Sequence, residues 1–228
     1  MRNTLKNVKT AFVSLLFLSV CICAYRYWTV IKSLRPFAVC FTSSADLDAM
    51  RYMIHSFDKV MNEYNITHWI EGGTLLGAHR YGDIIPWDHD GDFGYLLADR
   101  AKVVRVVVPV LKNKYSISVD PLKPTEMKYK GLIIDLYIFK ASVTDPGMLT
   151  RAVHTEPEVL EKYFDIAKNL ILPTTRCMFA GRLVNCPSQS EKVLRWRFQH
   201  TFNMTFPYKL QCWLPWNYIR VHQMKVKT

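Results

Sequence analysis

Residues 72–94 read GGTLLGAHRYGDIIPWDHDGDFG, and this stretch decides the fold. Gly72 and Gly73 close a short strand predicted over Thr67 to Glu71, and after a glycine-punctuated turn Asp88, Asp90 and Asp92 stand at every second position. On an extended backbone, side chains two apart project to the same face, so each carboxylate would lie within about 7 Å of the next. Like charges that close raise one another's pKa unless a cation sits among them. Hard divalent cations take oxygen ligands, commonly one or two carboxylates completed by water and substrate phosphates. The spacing therefore predicts a Mg²⁺ or Mn²⁺ site on Asp88 and Asp90, with Asp92 completing or supporting it. Without Cβ atoms, Gly72 and Gly73 let a ligand approach, and Thr74 to His79 favour a helix whose first N–H groups would face a phosphate. The alternative is an acidic surface turn. The apolar flanks, Ile84 to Trp87 before and Phe93 to Leu97 after, argue against it.

Working outward, Asp46 to Tyr64 carries Leu47, Met50, Ile54, Phe57, Met61 and Tyr64 in steps of three and four, an amphipathic helix. Asp99 to Asn113 is ambiguous: Val103, Val104, Val106, Val107 and Val108 favour a strand, whereas its length and flanking charges suit a helix. Tyr115 to Val119 alternates as a strand does. Met127 to Ala141 reads as one long β segment holding a single acid, Asp135, which is costly there unless something cationic meets it. A salt bridge to Lys128 or Lys130 is the structural alternative. A helix is predicted over Glu156 to Lys168, and Ser188-x-x-Glu191 has the form of a capping box opening a helix through Gln199.

Half of the 228 residues are hydrophobic, enough for one domain with a sizeable core and an appendage. The appendage is N-terminal. Ala11 to Tyr25 carries no charge, and Tyr27 to Ile31 extends the run past Arg26, which can snorkel beside Tyr25, Tyr27 and Trp28. About twenty-one helical residues cover roughly 31 Å, enough to cross a bilayer. A cleavable signal ending near Cys23 or Ala24 is the competing reading; the aromatic belt and the length of the run favour an uncleaved anchor. The division expected is a cytoplasmic tail over 1–9, an anchor over 10–31, a short stem over 32–44 and a catalytic domain over 45–228. Flanking charge does not orient the anchor: Arg2, Lys6 and Lys9 precede it, and Arg26, Lys32 and Arg35 follow it. Sequons at Asn65-Ile66-Thr67 and Asn203-Met204-Thr205 permit N-glycosylation in a lumenal domain.

The net charge of +11 favours anionic partners, but the cations are scattered and no nucleic-acid module is present. A membrane anchor further argues against nucleic acid. Outside the apolar run, Cys40, Cys177, Cys186 and Cys212 lack the spacing of a zinc site. Gly181-Arg182 suits a two-residue hairpin turn, and counting outward places Cys177 directly opposite Cys186, which predicts a disulfide.

Gly-Gly-Thr-Leu-Leu-Gly-Ala, then Arg80, then Ile-Pro-Trp-Asp-x-Asp-x-Asp resembles the signature of the LicD family, which includes fukutin and fukutin-related protein. The likeness extends over roughly Asp46 to Trp216. It implies an α/β (α+β) nucleotidyltransferase-like fold, a mixed sheet with flanking helices, preceded here by the transmembrane helix. It also implies transfer of a phospho-alcohol from a CDP-linked donor to a glycan hydroxyl, in a Golgi or endoplasmic reticulum membrane with a lumenal domain. On this reading Asp88, Asp90 and Asp135 hold the metal, and Asp92 supports it. Asp135 either orients the acceptor hydroxyl or holds a second ion. Gly72, Gly73 and Thr74 cradle phosphate, Arg80 pairs with it, and Arg182 and Lys192 are further cations. His79 and His89 are read as structural. A nucleotide-sugar glycosyltransferase with a DxD motif and a non-catalytic anchored scaffold are the rival readings.

Overall fold

The computed structural model describes residues 2–34, 40–152, 165–204 and 212. Helix α1 (Arg2–Leu34) runs through the tail, the apolar run and the start of the stem as one rod. Its window Val13–Val30 has a mean hydropathy of 1.5 and is not buried among the described residues; by length and composition it can span a bilayer.

Helix α2 (Ser44–Glu63) follows, with Ser43 at its N-cap accepting a hydrogen bond from the Asp46 N–H. Next come β1 (His68–Ile70), α3 (Gly72–Tyr81) and β2 (Asp90–Leu96). The valine-rich stretch resolves as helix, in four pieces: a 3₁₀ turn (Leu97–Asp99), α4 (Arg100–Lys102), a π segment (Val103–Val107) and α5 (Val108–Tyr115). Ser116 caps α5 in the left-handed region, so only Ser118–Val119, β3, is extended where a strand from Tyr115 was expected.

The single β segment expected over Met127 to Ala141 is two strands. Lys130 and Gly131 both take positive φ and turn β4 (Glu126–Tyr129) back against β5 (Leu132–Ala141). A two-residue turn with both centres left-handed matches the twist of the strands it joins. Strands β6 (Met148–Arg151) and β7 (Ile166–Ala167) complete a seven-stranded mixed sheet; β2 lies between antiparallel β1 and parallel β5. Residues 156–164 of the helix expected over Glu156 to Lys168 lie outside the described residues, while Ile166 and Ala167 are strand.

Helix α6 (Lys168–Ile171) leads to the hairpin β8 (Thr175–Phe179) and β9 (Arg182–Cys186), then to α7 (Ser190–Arg197). The hairpin turns at Ala180-Gly181, one residue earlier than expected, so Cys177 pairs with Val184 rather than Cys186. That shift moves the register by two positions, which keeps both cysteines on one face. The Cys177–Cys186 disulfide therefore forms diagonally, with Cα atoms 5.9 Å apart. The capping box is not made: the Ser188 hydroxyl donates to the carbonyls of Asn169 and Leu170, and Gln189 precedes α7.

The sheet has two unlike faces. Phe93, Tyr95, Ile134, Leu136 and Ile138 point to one face, where Phe57 of α2 meets Phe93 at 4.8 Å between ring centroids. The other face carries Asp90, Asp92, Asp135 and Tyr137, with Trp69 lying over Gly94 and 5.4 Å from the Phe139 ring. The hairpin is fastened to the apolar side by a buried polar knot. Asp58 of α2 accepts from His68 Nε2 (3.0 Å), the Asn185 N–H (2.7 Å), Asn62 Nδ2 (3.0 Å) and Arg176 Nη1 (3.3 Å). Burial alone would raise its pKa, but the His68 and Asn185 hydrogen bonds outweigh burial and hold the carboxyl below its usual range. Removing that acceptor strands the buried His68 Nε2 and Asn185 N–H, while Asn62 Nδ2 keeps the Asp58 carbonyl and Arg176 Nη1 keeps Asn185 Oδ1. We expect Asp58→Ala to cost about 3–5 kcal/mol in urea unfolding, and a loss under about 1 kcal/mol would show that the hairpin docks without it.

Candidate active site

The site begins where β1 stops. The backbone leaves Ile70 through Glu71, turns at Gly72 with φ +48°, and enters α3 directly, so the two glycines open the helix as well as end the strand. This turn presses against β2. A Cβ on Gly72 would stand 2.7 Å from Oδ2 of Asp92, and one on Gly73 would stand 2.8 Å from Oδ2 of Asp88 and 3.4 Å from Oδ2 of Asp92. Only residues without a side chain fit there.

The N–H groups expected to face a phosphate brace a carboxylate instead. Gly73 N–H donates to Asp92 Oδ2 at 2.8 Å, and the Asp92 N–H donates to Thr74 Oγ1 at 2.8 Å. On the neighbouring strand Asp135 is in direct register with Asp92, and parallel partners point the same way. The hydroxyl of Tyr137, two residues along the same face, lies 3.2 Å from Asp92 Oδ1 and 3.4 Å from Asp135 Oδ2 and can donate to either. Burial and the two carboxylates push the Tyr137 pKa far up, so it stays a proton donor. Through the β4–β5 turn, Glu126 joins the row beside Asp135. Lys128, one of the two lysines in the structural alternative for Asp135, bonds Glu126 at 2.8 Å. Asp88 precedes the strand and is half-buried, while Asp90 opens the strand and is exposed.

The aspartates act on one another electrostatically. Asp92 is pushed up to about 8, first by burial and then by the charges of Asp90, Asp88 and Asp135. Asp135 is raised by burial and by Asp90, with Tyr137 pulling it back. Among the described residues, no three His, Cys, Asp or Glu side chains form a ready-made metal cage. The donor set, carboxylate oxygens that raise one another's pKa, instead suits a hard cation that takes one or two carboxylates and completes its shell from water and phosphate.

Other expected residues lie elsewhere. Arg80 is buried, and its Nη2 donates to the carbonyls of Thr201 and Phe202, tying α3 to the segment after α7. Arg182 is exposed at the hairpin turn, lining a groove of about 600 Å³ with His55, Asp58, Lys59 and Arg176 that none of the four aspartates lines. Lys192 is exposed on α7. His79 stacks on Phe202 at 5.6 Å, and His89 lies ahead of β2 with Nδ1 against Thr42.

Three contributors carried no sequence signal. Glu71 is buried, accepting from Trp69 Nε1 (2.6 Å) and Arg197 Nε (2.7 Å). Arg151 is buried with its guanidinium 3.8 Å from the Tyr137 ring centroid. Tyr137 looked like one more apolar strand residue; its place two positions after Asp135 was the available clue.

The acids, the glycine turn and the mixed sheet define a nucleotidyltransferase-type domain. A family model described as LicD/FKTN/FKRP, nucleotidyltransferase domain, matches residues 65–189, and the chain belongs to that family. Over 59 residues it is 44% identical to ribitol 5-phosphate transferase FKRP of Homo sapiens and of Mus musculus. That match covers 26% of this chain and 12% of each relative. An uncharacterized protein of Rickettsia prowazekii is 36% identical over 62 residues, 27% of this chain and 23% of the relative. Among solved structures, the antibiotic-resistance factor ANT(2'')-Ia superposes with a TM-score of 0.44 at 16% identity, covering 77% of this chain and 89% of that one.

The raised Asp92 gives a pH signature. The folded protein keeps a proton on Asp92 that the unfolded chain releases near pH 4, so stability falls as pH rises toward and through about 8. His55 and Asp58 have lowered pKa values and act in the opposite direction, but their effects are complete by about pH 7. Between about pH 7 and 9 the thermal midpoint of metal-free protein should therefore drop, and Mn²⁺ or Asp92→Asn should flatten the drop. A flat profile for metal-free wild type would remove the proton from Asp92.

Proposed function

We propose that this chain is a membrane-anchored, divalent-cation-dependent phosphotransferase that moves a phospho-alcohol from a CDP-linked donor to a glycan hydroxyl and releases CMP. The observation carrying this reading is the register of Asp92 against Asp135 beside the Gly72–Gly73 turn, with Asp88 and Asp90 close enough to shift Asp92. The relatives named as ribitol 5-phosphate transferases support the class of group moved.

Asp88, Asp90 and Asp135 would hold Mg²⁺ or Mn²⁺, which when bound neutralises charge on the donor diphosphate. Asp92 already accepts through both oxygens, from Gly73 and Tyr137, so its part is to fix the acidic row. Asp135, beside it and half-exposed, orients the acceptor hydroxyl. Phosphoryl transfer asks mainly for such positioning and charge stabilisation.

Two disulfides, Cys40–Cys212 and Cys177–Cys186, support folding in an oxidising compartment. With α1 as the anchor, the domain would face the lumen of the Golgi or endoplasmic reticulum, an orientation that flanking charge left open and that the disulfides support. Asn65 is exposed in the turn after α2 and available to carry a glycan. Full-length chain from eukaryotic cells should shift on glycosidase treatment, with the Asn65 part of the shift lost in Asn65→Gln; an unglycosylated chain would reverse the orientation.

The activity is tested by incubating the full chain with CDP-ribitol, CDP-glycerol or CDP-choline and Mn²⁺, and following CMP across glycan acceptors. Asp90→Asn should lower turnover by roughly a hundredfold or more. Full turnover in that variant, or turnover of UDP-sugars in place of CDP-alcohols, would sink the reading.

A further inference from the structure

Asp88 has no strand to hold it. β2 starts at Asp90, and residues 82–89 run between α3 and the sheet outside regular structure. What grips this loop comes from the segment joining the anchor to the domain. Cys40 is 1% exposed and disulfide-bonded to Cys212, and Ser43 caps α2, so the four residues 40–43 are pinned at both ends.

Between those pins Thr42, 8% exposed, makes three contacts with the loop. Its N–H donates to the Pro86 carbonyl at 2.9 Å, its hydroxyl donates to the Asp88 carbonyl, and its Oγ1 lies 2.7 Å from Nδ1 of His89. A hydroxyl carries one proton. With that proton on the Asp88 carbonyl, the third contact requires His89 to donate its Nδ1–H, which fixes the imidazole tautomer as well as its place. The Asp88 N–H is bound in turn to the Ile85 carbonyl at 2.8 Å. Both backbone groups of Asp88 are thus fixed, and its carboxylate faces Gly73 and the neighbouring acid.

We infer that Thr42 is a positioning residue for Asp88, and that the Cys40–Cys212 disulfide locks the strap on which Thr42 is carried. The inference rests on the site reading above. Thr42, Cys40 and Cys212 all lie outside residues 65–189, so the two flanks of the matched domain join to complete its metal-binding edge. A strap that only covered the core would support stability and leave Asp88 alone, and the two roles separate by experiment.

In full-length protein, Thr42→Val keeps the shape and removes the hydroxyl. Hydrogen exchange should quicken across residues 85–90 while β5 is unchanged, and the Mn²⁺-induced rise in thermal midpoint should shrink. kcat/KM for the CDP-alcohol should fall roughly tenfold to a hundredfold, the scale expected when a reacting group is displaced by about 1 Å. Thr42→Ser, which restores the hydroxyl, should recover all three readouts. If Thr42→Val fails to fold, Cys40→Ser with Cys212→Ser releases the strap and is judged by the same exchange and Mn²⁺ measurements. Unchanged exchange over 85–90 together with an unchanged Mn²⁺ response in the folded variant would overturn the inference. Asp90→Asn is run alongside: retention of its turnover and Mn²⁺ response would sink the site reading, while the exchange data would still judge the strap.

Discussion

The structure depends on the parallel pairing of β2 with β5 that sets Asp92 beside Asp135. Two carboxylates side by side are unfavourable, so the register must be enforced from elsewhere. It is enforced from the opposite face, where Phe93 aligns with Leu136 and Tyr95 with Ile138 beneath α2. Because side chains alternate, slipping β5 by one residue would bury Asp135 among those apolar groups and bring Ile134 or Leu136 to the site. The apolar core under α2 thus holds the acids where their own repulsion would not.

The acidic face is built so that nearby cations do not cancel it. Arg197 is taken by Glu71 at 2.7 Å, and Arg151 lies flat against the Tyr137 ring at 3.8 Å. Arg151 lowers the Asp135 pKa, as the Tyr137 hydrogen bond does, but burial, Asp90 and Glu126 act the other way and the carboxyl stays raised. Negative charge therefore persists at the rim, where Asp90 is exposed.

Much of this was legible in the sequence because the information is local. The glycines before the acids and the three-and-four spacing of α2 depend on residues within a turn or two and appear where expected; of the three alternating aspartates, Asp90 and Asp92 lie on β2, whereas Asp88 stands in the loop ahead of it rather than on the same extended segment. Asp135 was legible because an acid inside Leu132 to Phe139 violates its surroundings. What failed depended on turn conformation or distant partners. Lys130-Gly131 lacks the Asn-Gly or Asp-Gly signature, so β4 and β5 read as one strand and Glu126 was missed. Ala180 at φ +46° displaced the hairpin turn for the same reason. Arg80 beside the motif read as a phosphate ligand, but the carbonyls it meets are more than 120 residues along the chain. No pattern around Thr42 announces that its partners lie 46 and 47 positions away.

Two acids on opposite sides of the sheet, Asp58 buried and Asp92 half-buried, show how placement separates scaffold from site. Asp58 meets donors from a histidine, two asparagines, one through its backbone N–H, and an arginine, and its carboxyl is held low. Its charge is satisfied, and it can do nothing but hold the hairpin. Asp92 meets the N–H of Gly73 and, at 3.4 Å, that of Thr74, a shared phenol and three like charges, and is pushed up to about 8. A structural role would not require the chain to gather further carboxylates around an acid already short of donors. Stability alone favours replacing such a cluster with apolar residues, as on the face below. Carboxylates that raise one another's pKa, crowded against a tight glycine turn, are the kind of placement in which a functional site is sought.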